Sequence, residues 1–219
     1  MNIFNIIGPS MIGPSSSHTA GAVKLGRLAR SILGEEPLQA KIIMYNSFAK
    51  TGHGHGTDKA LIAGILGFLP DDERIRITFE EAKKRGLSYE LVYGGDREDL
   101  HPNTAEFILK GEFNKTEVLG CSIGGGRVKV FAIDGFLVEF SGEYQTIITI
   151  HRDISGVIAR VTSQLAEKRV NIAQMKVSRE SRGEKALMII ETDEPIPKGI
   201  KGVLEGIDNI YRVLVIQPV

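Results

Sequence analysis

The chain has 219 residues, 42% of them apolar and 25% charged, enough to bury the core of one large domain or two small ones. Lysine plus arginine and aspartate plus glutamate each count 27, so the formal net charge is zero, and neither a basic nucleic-acid footprint nor an acidic tail is present. Cys121 is the only cysteine, which excludes a disulfide within the chain and a cluster held by this chain alone, and fits a reducing cytoplasm.

The opening MNIFNIIGPS has no basic segment ahead of a long apolar core, so no signal peptide is expected. GPSMIGPSSSHTAG (8–21) is a loop rich in Gly, Pro and Ser that runs into a helix, TAGAVKLGRLARSIL, with Ala22, Gly26, Ala29 and Leu33 on its inner side and Lys24, Arg27 and Ser31 outside. QAKIIMYN reads as a strand. TGHGHGTDKA (51–60) is a second loop, leading into a helix over TDKALIAGILGFL whose inner face is Leu61, Gly64, Ile65 and Phe68. The apolar part of that helix is too short to span a bilayer and stops at Pro70, so no membrane segment is expected.

DDERIRITFEEAKKRG contains a third helix. Short strands follow in SYELVYG, AEFILK, TEVLGCSI, RVKVFAI and FLVEF, with a glycine turn, SIGGGR (122–127), between two of them. SGEY (141–144) is the expected linker. Beyond it, TIITI is a strand, and Ile154, Val157, Ile158, Val161 and Leu165 mark one face of a helix capped by Asp153 or Ser155. VNIAQMKVS is a strand with Ala173, Met175 and Val177 on one side, and ALMIIET returns after a turn at SRGEK. A short helix bearing Ile200, Val203, Leu204 and Ile207 precedes a last strand, YRVLVIQ. The order βαββαβ is a ferredoxin-like unit. The expected class is α+β: an α/β sheet domain over 1–143, then the ferredoxin-like domain over 144–219.

Two loops at helix starts carry the chemistry. The glycines at 8 and 13 mimic a nucleotide-binding P-loop, but Pro14 stands where that loop needs lysine, which rejects the nucleotide reading. Ser15, Ser16, Ser17 and Thr19 remain around a helix N-terminus that attracts anions, beside His18; a single cap explains one hydroxyl of the four. In the second loop Thr57 or Asp58 suits a helix cap, and the glycines at 52, 54 and 56 would admit a ligand close to the backbone. His53 and His55 could supply two metal ligands, yet zinc sites want three or four, and His101 and His151 show no matching spacing, so no metal site is assigned. A histidine poised for proton transfer beside an anion pocket suits the residues better, since imidazole titrates near neutrality.

Taken together, GPSSSHTAG (13–21), TGHGHGTDKA (51–60) and SIGGG (122–126) resemble the β chain of the iron–sulfur-dependent L-serine dehydratases, and the C-terminal unit is similar to an ACT domain, an amino-acid-sensing module. The resemblance implies conversion of L-serine to pyruvate and ammonia by loss of the α-proton and the β-hydroxyl. It also implies a [4Fe–4S] cluster acting as Lewis acid on a partner α subunit, with nothing in this chain ligating it. Carried over by motif, His55 becomes the α-proton base, and His18 with Ser15, Ser16, Ser17, Thr19, Thr57 and Asp58 positions substrate. His53 departs from the lysine common in relatives. The last unit also resembles the regulatory domain of D-3-phosphoglycerate dehydrogenase, which implies an effector site at His151, Asp153 and Asn171. Asp153 replaces a frequent asparagine there and would repel a carboxylate; a helix cap and self-association through the ACT domain are the other reading. Two other functions compete: a non-catalytic amino-acid-binding regulatory subunit, and a metallohydrolase using the two neighbouring histidines.

Overall fold

The computed structural model describes residues 10–219; Gly8 and most of the opening stretch read for a signal peptide lie outside the described residues. Two compact units divide at Gly135/Phe136.

In the first unit a π-helical turn, Ser16–Gly21, runs directly into α1 (Ala22–Leu33), which Gly34 ends in a left-handed conformation. β1 (Gln39–Met44), α2 (Asn46–His55), α3 (Thr57–Ile65), a 3-10 turn (Glu73–Ile77) and α4 (Thr78–Lys84) come next. The strands β2 (Ser88–Tyr93), β3 (Thr104–Lys110), β4 (Lys115–Gly124) and β5 (Arg127–Ile133) complete it, in the sheet order β2-β1-β3-β4-β5. β1 and β2 are parallel, because a helical crossover joins them, and the other pairs are antiparallel.

α1 lies across β3, β4 and β5, burying Leu25, Leu28 and Ile32 against Phe107, Val118 and Val130. Each of these large side chains contributes roughly 1.5–3 kcal/mol of burial. α3 packs on α1 at a distance that two glycines set. A Cβ on Gly26 would meet Leu61 O at 2.4 Å, and one on Gly64 would meet Val23 O at 2.1 Å. Backbone therefore touches backbone, and the first turns of α1 are locked against the last turn of α3.

The glycine-rich stretch expected as a loop is helical. Residues 51–55 form the last turns of α2, and Gly56, at φ +69°, ends that helix and begins the next. Tertiary anchoring overrides the poor helix propensity of glycine here. Phe48 is wholly buried, and Asn46 Nδ2 donates to the carbonyls of Arg97 (2.9 Å) and Leu100 (3.1 Å). Gly56, not Thr57 or Asp58, occupies the cap of α3, which stops at Ile65, short of the expected end, with Phe68 still buried.

The second unit opens with β6 (Phe136–Phe140). Then come β7 (Gln145–Arg152), α5 (Val157–Glu167), β8 (Ile172–Arg179), β9 (Lys185–Thr192), α6 (Ile200–Glu205) and β10 (Ile210–Ile216). The order β10-β7-β9-β8 is that of a ferredoxin-like sheet, and Ile147, Val161, Leu165, Met188, Ile190 and Leu204 fill its core. Gly156, at φ +90°, stands at the start of α5, so neither Asp153 nor Ser155 caps it. Ile154 and Ile158 are 40% and 39% exposed, so the buried stripe of α5 is narrower than its apolar pattern. Met175 and Val177 of the edge strand β8 are likewise exposed, as is Val203 of α6.

Candidate functional site

The serine segment is wound as a π turn, a wider coil than the α-helix that it feeds, and such turns recur at functional sites. Ser15 caps it: its Oγ accepts from the His18 N–H at 3.2 Å. The His18 ring is half-buried, edge-on to Phe48 (centroids 5.3 Å) and to His55 (5.1 Å). Its Nε2 lies 3.1 Å from Thr51 Oγ1 and 3.3 Å from Ser47 Oγ, and its Nδ1 lies 3.4 Å from Ser15 Oγ. Burial first, and the charge of His55 second, hold the His18 pKa below its ordinary value.

α2 supplies the other side. Ser47, Thr51 and His55 recur every four residues, so helical periodicity stacks them on one face toward His18. His53, two residues from His55, points elsewhere, and its side chain is 88% exposed. Its Nδ1 lies 3.2 Å from Asp58 Oδ2, while Asp58 Oδ1 accepts from the Lys59 N–H at 2.7 Å. The two neighbouring histidines thus diverge, and no group of three or more His, Cys, Asp or Glu side chains among the described residues is placed to hold a metal. Cys121 is buried in β4, and burial pushes its thiol up to about 11, so it does not fit as a cluster ligand.

A cavity of about 410 Å³ opens beside the pair of histidines, lined by Thr19, His55, Lys59 and Arg76 with Ile12 and Ile75. Thr19 is 2% exposed, and its Oγ1 has no hydrogen-bond partner among the described residues; the Thr57 hydroxyl is in the same state. Ser17 reaches the glycine turn, its Oγ 3.9 Å from where a Cβ on Gly124 would stand. No hydrogen bond to Ser16 Oγ is found among the described residues. The sequence reading missed Ser47 and Thr51, which become visible once 46–55 is known to be helical, and Lys59 and Arg76. Lys59 follows the TD of the motif, and every other residue of α3 is buried. Arg76 lay unmarked in a mixed charged run.

The sequence that carries these two histidine motifs is matched by known proteins. The serine dehydratase β-chain family model matches residues 1–88, and the ACT-domain model matches residues 145–209. A probable L-serine dehydratase β chain of Bacillus subtilis (strain 168) is 43% identical over 212 residues, covering 97% of this chain and 96% of its own. The L-serine dehydratase β chain of Peptoniphilus asaccharolyticus is 39% identical, over 94% of this chain and 93% of its own. The chain belongs to the serine dehydratase β-chain family. An L-serine dehydratase of Streptomyces coelicolor is 45% identical over 103 residues, which make up 45% of this chain and 23% of that protein.

Within the ACT domain of this serine dehydratase β chain, the expected effector residues do not converge. His151, at the end of β7, is 2% exposed, and burial holds its pKa below the ordinary value. Asp153 Oδ2 accepts from Arg179 Nη1 (3.2 Å) and the Gly183 N–H (3.4 Å). Asn171 stands at the other end of the sheet, where its Nδ2 donates to Asp193 Oδ2 (2.6 Å). Gln145 and Ile172 both pair with Thr192, whereas His151 pairs with Ala186. A strand rises about 3.3 Å per residue, so the two ends lie roughly 20 Å apart.

Proposed function

We propose that this chain is the β subunit of a two-chain L-serine ammonia-lyase, active with a cluster-bearing α subunit and converting L-serine to pyruvate and ammonia. The observation that carries this reading is the edge-to-face pair of His18 and His55, with His55 lining a cavity. The relatives named L-serine dehydratase β chain support it over nearly the whole length. The longer Streptomyces protein supports the split, since this chain matches under a quarter of it. The [4Fe–4S] cluster belongs on the α subunit, because the thiol of Cys121 is buried and protonated.

His55 is the base that takes the α-proton. It is exposed at the end of α2, open to a substrate delivered from a partner surface. His18 stays neutral and holds the ring of His55 in place. Loss of the β-hydroxyl then gives an enamine, which tautomerises and is hydrolysed to pyruvate and ammonium. Ser15 fixes His18, while Ser16, Ser17, Thr19, Thr57 and Asp58 shape the pocket, with Asp58 acting through His53. The catalytic part spans 1–143 and the ACT part 144–219. A cytoplasmic complex is part of this reading, and the lone free cysteine supports it.

A second reading concerns the ACT domain. His151 and Asn171 stand at opposite ends of the sheet, so an amino-acid effector touching both needs two copies of the chain. The edge strand β8, with Met175 and Val177 exposed, offers a surface for such self-association.

The test is anaerobic co-expression with the α subunit and an assay of pyruvate from L-serine. Turnover requiring both chains is expected. His55→Ala lowers kcat at least 100-fold, the contribution of a positioned general base, with iron and sulfide content unchanged. Wild-type turnover in that variant would remove His55 from the mechanism.

A further inference from the structure

The cavity beside His55 has a charge pattern that the histidines do not explain. Two of its lining side chains, Lys59 and Arg76, are cationic, and none is acidic. Neither has a carboxylate partner among the described residues, whereas Arg74 pairs with Asp72 and Lys84 with Glu81. The two are neighbours, since Lys59 Nζ donates to the Arg76 carbonyl at 3.4 Å. That bond uses one of three ammonium protons and leaves the guanidinium fork untouched.

Lys59 is held in place from both sides. α3 is otherwise buried, which fixes its one half-buried side chain toward the cavity. Phe79 lies under the ammonium, 6.0 Å from ring centroid to Nζ. Across the cavity the Thr19 hydroxyl is nine-tenths buried and without a partner, a donor left for a ligand. Ile12 and Ile75 make the remaining wall apolar, which strengthens any ion pair formed inside.

Two unpaired cations and an orphaned hydroxyl around an apolar-walled cavity call for a small anion. We propose that this cavity seats the α-carboxylate of the amino-acid substrate, held by Lys59 and Arg76 and by the Thr19 hydroxyl. The assignment rests on the reading of the chain as half of an L-serine ammonia-lyase. It adds the carboxylate receptor to that site. His55 lines the same cavity, so a carboxylate bound there presents the adjacent Cα–H to the imidazole. Neutralising the carboxylate also acidifies that C–H bond, which is the difficult proton to remove.

The experiment uses the two-chain complex and L-alanine, which has the carboxylate and ammonium of serine but no hydroxyl to lose. Calorimetric titration compares L-alanine with L-alaninamide, whose carboxylate has become an uncharged amide. In the wild type the carboxylate binds more tightly. In Lys59→Met and in Arg76→Gln the L-alanine Kd weakens roughly 10- to 100-fold, as for loss of a charge-assisted hydrogen bond. The preference over the amide collapses, and the KM for L-serine rises in parallel. Lys59→Arg restores most of the affinity, which a merely structural role of Lys59 would not require. A complex that turns over L-serine while both variants keep wild-type Kd and KM overturns the carboxylate seat and leaves the lyase reading standing. Absence of serine turnover in the wild-type complex overturns the lyase reading itself.

Discussion

His18 has both ring nitrogens engaged, and its partners dictate where the proton sits. Thr51 donates its hydroxyl proton to the Ser47 carbonyl at 2.8 Å, so its oxygen can only accept from His18 Nε2–H. Ser15 Oγ accepts from the His18 N–H and lies 3.4 Å from Nδ1, toward which its hydroxyl proton is free to point. The ring is therefore neutral and protonated on Nε2, in keeping with a pKa that burial lowers. The double variant Ser47→Ala/Thr51→Val removes both oxygens beside Nε2, and with them the acceptors that fix this tautomer. Turnover is expected to fall roughly 10-fold, about 1.4 kcal/mol, and nitrogen-15 NMR should show the proton shared between Nδ1 and Nε2. An unchanged Nε2 tautomer in the variant would refute the assignment. His18 and His55 were legible in the sequence because their motifs are unusual. Thr51 and Lys59 were not, because a threonine or a lysine carries no chemical signature until its neighbours in space are known.

At the scale of elements, the site depends on α1 and α3, whose close packing Gly26 and Gly64 permit at the start of one helix and the end of the other. A methyl at 64 collides with the Val23 carbonyl, an atom that cannot move without shifting α1. Gly64→Ala is expected to cost about 1–3 kcal/mol in urea unfolding, as overpacking does. It should also lower activity, because His18 and His55 stand on the turns that lead directly into α1 and α3, the elements that separate. Gly54 supplies the contrast. Its Cβ would meet nothing within 4 Å, and it lies inside α2. Gly54→Ala should therefore stabilise the chain by about 0.5–1 kcal/mol, the helical penalty of glycine. A loss of stability in Gly54→Ala would show that residues 51–55 are not helical. The strand segments, α1 and the start of α3 were readable from apolar patterning. The course of 46–55 was not, since its helix is stabilised by Phe48 and Asn46 contacts to residues 50 positions away, which local propensity does not register.

For the whole molecule, the division into a histidine-bearing half and a sensor-like half was legible from the βαββαβ order, whereas the separation of His151 from Asn171 was not, because it follows from strand register. Register also buries Glu191 of β9, 5% exposed, with Oε1 unpartnered among the described residues. Burial raises its pKa above the ordinary 4.5; the Ser141 N–H partly offsets this, and Glu143 adds to it. A carboxyl whose folded pKa is raised binds more protons in the folded state between 4.5 and that raised value. Its contribution to stability is therefore lost as pH rises through this window. His151 acts in the opposite sense: with its folded pKa below 6.5, stability declines as pH falls below 6.5. Glu191→Gln separates the two. At pH 8 the variant should unfold at a midpoint roughly 4 °C higher, for about 1 kcal/mol, because the cost of a buried charge is gone. The gain should fade as pH approaches 4.5, where the wild-type carboxyl is itself neutral when folded, and the acid-side decline due to His151 should persist. Thermal unfolding followed by circular dichroism between pH 5 and 8 reads both effects, and a gain independent of pH would show that Glu191 acts through packing rather than charge.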